Sequence, residues 1–217
     1  MSEKLARGEI SSAKITDACL ARIAEHDGKL GAFACVFENE ARAAAEAADK
    51  LRAGGDEIGP LHGIPVAVKD LFHVHGHATQ AGSRCYSVPP DARTATAVSL
   101  LTDAGMIVLG KTHTDEFAYG AWGVNNLLGS PWNPYDLETH RVAGGSSSGS
   151  AVAVSAGLVP LALGSDTGGS ARVPAAFCGC VGVKPSFGLV ERKGMVPLSP
   201  SLDVVGFFAN SIGDSKL

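Results

Sequence analysis

The chain has 217 residues, of which 45% are hydrophobic and 18% are charged, a composition typical of a globular protein with a sizeable core. Its net charge of −4, with no basic cluster, gives no electrostatic basis for binding nucleic acid. The sequence has no apolar leader and no apolar run of about 18 residues, and its five cysteines suggest no disulfide framework. We therefore expect a cytoplasmic protein with no membrane partner and no direct nucleic-acid partner.

The first part of the chain predicts two helices. Ser11 or Ser12 can cap a helix whose apolar residues recur at three-to-four spacing, namely Ile15, Ala18, Cys19 and Ile23. An alanine-rich helix is expected over about 40–53, ending at the glycine pair 54–55. Residues 1–58 are thus interpreted as a helical cover over the core, and self-association as a homodimer remains open.

Residues 59–217 predict alternating strands and helices. A short buried strand in 60–70 ends at Lys69, and further strands are expected at 106–109, 159–163, 181–183 and 204–208. Helices are expected at 96–104 and 148–157. This alternation indicates an α/β sheet with helices on both faces. Residues 211–217 resemble the start of a helix, so we expect a single domain over 1–217 that is truncated at its C-terminus.

Two loops rich in glycine and serine carry the strongest chemical signal. They cover residues 144–150 and 164–170 and are joined by an apolar run. Glycine allows close approach of the backbone to a ligand, and exposed N–H groups can hold an oxyanion. This pattern suggests that one serine attacks a substrate and a second one relays a proton.

A serine nucleophile needs a base, and Lys69 is a candidate. All seven histidines precede Ser147, but a lysine partly buried at the end of an apolar strand can have a lowered pKa. Taken singly, Lys69 could be a surface charge, Ser146 a helix cap and Ser170 a turn residue. Taken together with the two loops, they indicate a lysine-activated serine site.

Two familiar motifs are interpreted as chance matches. Residues 105–112 fit the P-loop pattern, but the middle of the segment is an apolar strand rather than a phosphate-binding loop. Residues 145–149 fit the nucleophile elbow centred on Ser147, but that fold requires a histidine after the serine.

Three histidines, His73, His75 and His77, allow a different hypothesis. Their alternate spacing could direct three imidazoles to one face of an extended segment and bind zinc. Gly76 suggests a turn instead, and no carboxylate motif lies nearby in sequence. A metal-dependent hydrolase remains an alternative, although the site that we favour contains no metal and no cofactor.

Several segments together resemble the amidase signature family. They are residues 63–70, 109–117, 133–134, 144–179 and 201–203, so the resemblance covers essentially the whole chain after the first helix. Ser148 stands where many members have glycine. The family domain is normally longer, and the chain is therefore identified as its N-terminal half. The resemblance implies a mixed, mostly parallel central sheet flanked by helices.

The resemblance also implies roles for individual residues. Lys69, Ser146 and Ser170 match a catalytic triad in which Ser170 attacks, Lys69 is the base, and Ser146 relays the proton. Ser146 is expected to follow a cis peptide bond from Gly145. Backbone N–H groups of four residues are expected to form the oxyanion hole, namely Thr167, Gly168, Gly169 and Ser170, while Asp166 and Arg172 brace these loops.

The activity implied is hydrolysis of a small-molecule amide through an acyl-serine intermediate, giving a carboxylate and ammonia or an amine. Residues 199–203 favour a free-standing amidase. An amidotransferase subunit that supplies ammonia for tRNA-dependent transamidation is the second interpretation. A non-catalytic binding protein derived from a truncated amidase fold is a third.

Overall fold

The computed structural model of the chain describes residues 1–56 and 58–216. Its N-terminal part contains helices α1 (Ser2–Ala6), α2 (Ser12–Leu30) and α3 (Glu38–Gly54). The Ser11 hydroxyl accepts the Lys14 N–H at 3.1 Å, and Gly31 and Gly55 end α2 and α3 in the left-handed conformation. The two predicted helices are confirmed. Strand β1 (Phe33–Val36), which lies between them, was not predicted.

A six-stranded sheet forms the centre of the fold. After β1 the strands are β2 (Pro65–Lys69), β3 (Ile107–Thr112), β4 (Leu161–Asp166), β5 (Val181–Val183) and β6 (Val204–Ala209). Their spatial order is β1-β3-β2-β4-β6-β5. All of the predicted strands are present, but β3 and β4 end three residues later than expected.

The sheet is mixed, as the resemblance implied, but it is not mostly parallel. Strand β2 is parallel to β3 and to β4, whereas the other three pairings are antiparallel. Neighbouring parallel strands must be joined by a long crossover connection, which is usually helical. Parallel neighbours occur only in the centre of this sheet, where β2 lies between β3 and β4. Strands β5 and β6 are joined by residues 184–203, which contain no helix, and they pair antiparallel.

Helices pack on both faces of the sheet, as predicted. The remaining helices are α4 (Thr96–Asp103), α5 (Ser148–Ser155) and α6 (Arg172–Cys178), with short 3-10 turns at Glu116–Ala118 and Asp214–Lys216. Ala162 packs in a core cluster with residues of α2 and α5, whereas its neighbour Leu163 packs in a second cluster with residues of α4. Because adjacent strand residues point to opposite faces, these clusters lie on opposite sides of the sheet.

Helix α5 determines where the first glycine-serine loop lies. Its residues 148–154 are all buried, so the helix passes beneath the sheet rather than along the surface. Gly149 allows this approach, because a Cβ there would lie 2.2 Å from the Ala32 carbonyl oxygen. The loop that precedes α5 is therefore held against the end of the central strands. Across residues 1–56 and 58–216, no helix is both long and apolar enough to cross a membrane.

Candidate active site

Lys69 lies at the carboxyl end of the central strand β2. It is completely buried, and its Nζ lies 2.7 Å from Ser146 Oγ and 2.9 Å from Ser165 Oγ. Burial lowers the pKa of Lys69 from 10.5 to about 7, although the carboxylates of Asp115, Asp166 and Asp203 oppose this change. A neutral amine, able to accept a proton, is therefore available near neutral pH.

Ser146 is held in a tightly constrained turn. The Gly145–Ser146 peptide bond is cis, as the resemblance implied. The N–H groups of Gly144 and Gly145 donate to the carbonyl oxygens of Trp122 and Ala121 at 3.1 and 2.9 Å. The Ser146 side chain is fully buried and faces Lys69.

Ser147, the serine of the elbow-like motif, is occupied by structural contacts. Its hydroxyl donates to the Ser165 carbonyl oxygen at 3.1 Å and accepts the Ser165 N–H at 3.2 Å. Its main-chain N–H donates to the carbonyl oxygen of Ser170 at 3.1 Å. Ser147 thus joins the two glycine-serine loops, and its hydroxyl is not free to attack a substrate.

Ser170 lines a cavity of about 250 Å³ beside this turn. Gly145 and the segment from Thr167 to Gly169 line the same cavity. Within the described ranges 1–56 and 58–216, the backbone N–H groups of Gly168, Gly169 and Ser170 make no hydrogen bond to the protein. Unpaired donors beside a serine hydroxyl are suited to binding an oxyanion.

Asp166 and Arg172 close the loop that carries Ser170. The guanidinium of Arg172 donates from Nε and Nη2 to the two oxygens of Asp166, at 3.0 and 2.9 Å. Asp166 also accepts the N–H groups of Ala171 and Arg172, which begin α6. Burial alone would raise the pKa of Asp166, but these hydrogen bonds with Arg172 and the backbone lower it. The carboxylate is therefore charged and fixes both ends of the 167–171 segment.

Three polar residues near Lys69 lie in segments that carry the resemblance but were given no individual role from the sequence. Ser165 is the second hydroxyl partner of Lys69. Asp203 accepts the hydroxyl of Thr167 at 2.5 Å and the N–H groups of Leu198 and Ser199. Asp115 is buried close to Gly145. The alternation of residues along β4 could have identified Ser165. Asp115 and Asp203 are distant from Lys69 in the sequence, and only the folding of the chain brings them near it.

The three histidines do not form one cluster. His73 lines one cavity with Arg93 and Lys193, whereas His75 and His77 line another. The His77 ring stacks on Phe37, with 3.4 Å between the ring centroids. In the described part of the chain, no group of three or more His, Cys, Asp or Glu residues is arranged to hold a metal ion. The alternative of a metal-dependent hydrolase using these histidines is therefore not supported.

The P-loop-like segment is a strand, as predicted. Its lysine, Lys111, lies within β3 and is fully buried. The Lys111 Nζ binds Asp70 Oδ1 at 2.5 Å and Thr79 Oγ1 at 2.6 Å. These contacts tie β3 to the segment after β2, and Lys111 is not exposed to bind phosphate.

Comparison with known proteins identifies the family of the chain. The family model described as Amidase matches residues 14–217. The chain is 51% identical over 211 residues to a glutamyl-tRNA(Gln) amidotransferase subunit of Anaeromyxobacter dehalogenans (strain 2CP-C), covering 96% of this chain and 42% of that protein. It is 46% identical over 211 residues to a 1-carboxybiuret hydrolase subunit of Pseudomonas sp. (strain ADP), covering 97% and 46%.

A solved structure is also similar. The native peptide amidase of Stenotrophomonas maltophilia superposes with a TM-score of 0.91 at 40% identity, covering 98% of this chain and 44% of that one. The chain thus spans less than half the length of these relatives. The family model and both kinds of relative lead to one conclusion: the chain belongs to the amidase family.

Proposed function

We propose that the protein hydrolyses a small-molecule carboxylic amide through an acyl-serine intermediate, with Lys69, Ser146 and Ser170 as its catalytic residues. The observation that carries the proposal is the contact of 2.7 Å between the buried Lys69 Nζ and Ser146 Oγ. A lysine with a pKa of about 7 can remove a proton from a serine at neutral pH, which an ordinary lysine cannot do.

The first half of the reaction forms the acyl-enzyme. Neutral Lys69 takes the proton of the Ser146 hydroxyl while Ser146 takes that of Ser170. Ser170 Oγ then forms a bond to the amide carbonyl carbon, and the carbonyl oxygen becomes an oxyanion. The backbone N–H groups of Thr167, Gly168, Gly169 and Ser170 are proposed to bind this oxyanion. Loss of one such donor typically costs about 3 kcal/mol in the transition state.

The second half releases the products. The proton returns from Lys69 through Ser146 to the amide nitrogen, the C–N bond breaks, and ammonia or an amine leaves. Water then attacks the acyl-serine ester, and its proton follows the same path toward Lys69. Collapse of the tetrahedral intermediate then breaks the ester C–O bond, Ser170 regains its proton from Lys69 through Ser146, and the acid product leaves as a carboxylate after giving its remaining proton to solvent.

The test is covalent labelling by a fluorophosphonate probe combined with an amide-hydrolysis assay. Ser170→Ala should abolish both labelling and ammonia release. Ser87→Ala, which changes an exposed serine, should alter neither and serves as the control. Circular dichroism establishes that each variant is folded. Labelling that persists in Ser170→Ala, or a folded wild-type chain that is never labelled, contradicts the proposal, and the second outcome supports a non-catalytic binding protein.

A second candidate function is that of an amidotransferase subunit. The identity of 51% to a glutamyl-tRNA(Gln) amidotransferase subunit favours it. Such a protein would use the same acyl-serine chemistry but deliver its ammonia to a partner. Ammonia release from simple primary carboxamides by this chain alone supports a free-standing hydrolase. Release that requires a further subunit supports the second candidate.

We also propose that the described residues belong to one domain. A single core cluster contains Ile15 and Ile23 of α2, Ala41 of α3, Val66 of β2 and Phe208 of β6. The N-terminal helices are therefore packed on the sheet that carries the site. Limited proteolysis should release no stable fragment that lacks residues 1–58.

A further inference from the structure

Asp115 is a buried carboxylate with an incomplete set of partners. The residue is 3% exposed, and its Oδ2 accepts the Gly123 N–H at 3.3 Å. Across residues 1–56 and 58–216, no hydrogen-bond partner reaches its buried Oδ1. An unpaired buried carboxylate oxygen is costly and calls for a counter-charge or a functional reason.

The position of Asp115 links it to the proposed relay. Its main-chain N–H donates to the Ser146 carbonyl oxygen at 3.3 Å. A Cβ added to Gly145 would lie 2.7 Å from both carboxylate oxygens, so the carboxylate packs directly against Gly145. The segment from Asp115 to Gly123 therefore holds the Gly145–Ser146 peptide from one side.

The charge of Asp115 is also less compensated than that of its neighbours. Three carboxylates act on Lys69, those of Asp115, Asp166 and Asp203. Asp166 is bound by Arg172 and by two backbone N–H groups. Asp203 accepts one hydroxyl and two backbone N–H groups.

The hydrogen bonds found among residues 1–56 and 58–216 give the Asp115 carboxylate one backbone N–H from another residue, that of Gly123. Burial raises the pKa of Asp115, while Lys69 and the Gly123 N–H lower it. Lys69 contacts Ser146 Oγ and the Asp115 carboxylate packs against Gly145, so the two groups flank the same peptide bond, and the ammonium form of Lys69 supplies a counter-charge for this carboxylate.

We propose that Asp115 is a positioning residue for the Lys69–Ser146 relay, which fixes the Gly145–Ser146 peptide and stabilises Lys69 in the protonated state that follows proton transfer from Ser146. This inference rests on the proposed function. Asp115 gives up no proton in this scheme. When Lys69 becomes an ammonium, the electrostatic attraction to Asp115 offsets the loss of hydration that burial imposes.

The test replaces Asp115 by asparagine, which keeps the shape and an oxygen for the Gly123 N–H but removes the charge. Lysine labelled with carbon-13 allows the pKa of Lys69 to be read from its Cε resonance, which is assigned by its absence from Lys69→Met. We expect the pKa of Lys69 to fall by about one pH unit or more, the scale of one opposite charge nearby. The pH midpoint of Ser170 labelling should fall equally. Asp91→Asn, which changes an exposed carboxylate, should alter neither value.

The direction of the change separates this proposal from a purely structural role. If Asp115 only filled space, the isosteric replacement would leave the pKa of Lys69 unchanged, and any loosening of the packing that admitted water would raise it toward 10.5. An unchanged or raised pKa therefore overturns the proposal.

A wild-type measurement covers the case in which Asp115→Asn does not fold. The Asp115 Cγ resonance should record a step at the pH where Lys69 titrates, and its absence also overturns the proposal. Neither titration requires catalysis. Failure of Ser170 labelling thus counts against the proposed function and leaves the Asp115 proposal to be decided separately.

Discussion

Replacing Lys69 by methionine removes a buried amine and should change how the stability of the chain depends on pH. The pKa of Lys69 is lowered by burial from 10.5 to about 7. Between these values the unfolded chain carries a proton on this lysine that the folded chain does not carry. Stability from this residue therefore increases as the pH rises from about 7 toward 10.5, and it is lost as the pH falls back across the same range.

The size of the effect follows from the pKa difference. One pH unit within this window corresponds to about 1.4 kcal/mol. Raising the pH from about 7.5 to about 9.5 should therefore increase the free energy of unfolding by ~2–3 kcal/mol through Lys69 alone. Lys69→Met should lack this increment.

Urea denaturation of wild type and of Lys69→Met at the two pH values measures this increment in the free energy of unfolding. The difference between wild type and Lys69→Met is the informative quantity, because other groups contribute equally to both. Burial raises the pKa values of Cys19 and Cys180 to about 11. These thiols therefore lower the stability of both proteins at high pH, in the direction opposite to the effect of Lys69. Lys50→Met, at an exposed position of α3, should keep the wild-type dependence. If wild type and Lys69→Met differ by the same amount at both pH values, Lys69 stays protonated in the folded state and our argument for a neutral base is wrong.

Three further outcomes are expected. The rate of fluorophosphonate labelling should rise with pH through about 7 as Lys69 loses its proton, and a rate independent of pH would indicate a different base. Lys111→Met leaves Asp70 buried without its cation and should reduce the urea-derived stability by about 3–5 kcal/mol, whereas an unchanged stability would mean that water replaces the ion pair. Gly149→Ala brings a methyl group to 2.2 Å from a backbone oxygen and should lower the melting temperature sharply. Gly168→Ala meets nothing within 4 Å and should not, so equal melting temperatures would contradict the packing described for α5.

Local signals in the sequence were sufficient for most helices and strands. Helix α2 is defined by signals within its own segment, since the Ser11 side chain caps its first turn and apolar residues at three-to-four spacing form its buried face. Strand β1 escaped prediction because it has four residues and no alternation, and it is stabilised by pairing with β3 far along the chain. Helix α6 also escaped, since it is short and contains Pro174, and its first turn is held by the carboxylate of Asp166. Both elements depend on contacts that no local pattern encodes.

The site was predictable to a similar extent. The glycine-serine loops and the strand before Lys69 indicated the three proposed catalytic residues, because motif and spacing identify residue types in sequence. They could not indicate Asp115, whose importance comes from its burial against Gly145. The histidines illustrate the converse error. Alternate spacing suggested one shared face, but residues 75–76 form a turn, and His73 lines a different cavity from His75 and His77.

The mixed topology explains why these groups meet at one edge of the sheet. Strands β3, β2 and β4 run parallel, so their carboxyl ends bring the residues after β3, Lys69 and Asp166 to the same side. Strand β6 runs antiparallel to β4, with Val204 opposite Asp166, and its beginning therefore carries Asp203 to that side as well. A fully parallel sheet would place the start of β6 at the far edge. The antiparallel direction of β6, which local sequence patterns do not reveal, thus supplies one of the three carboxylates that oppose the effect of burial on the pKa of Lys69.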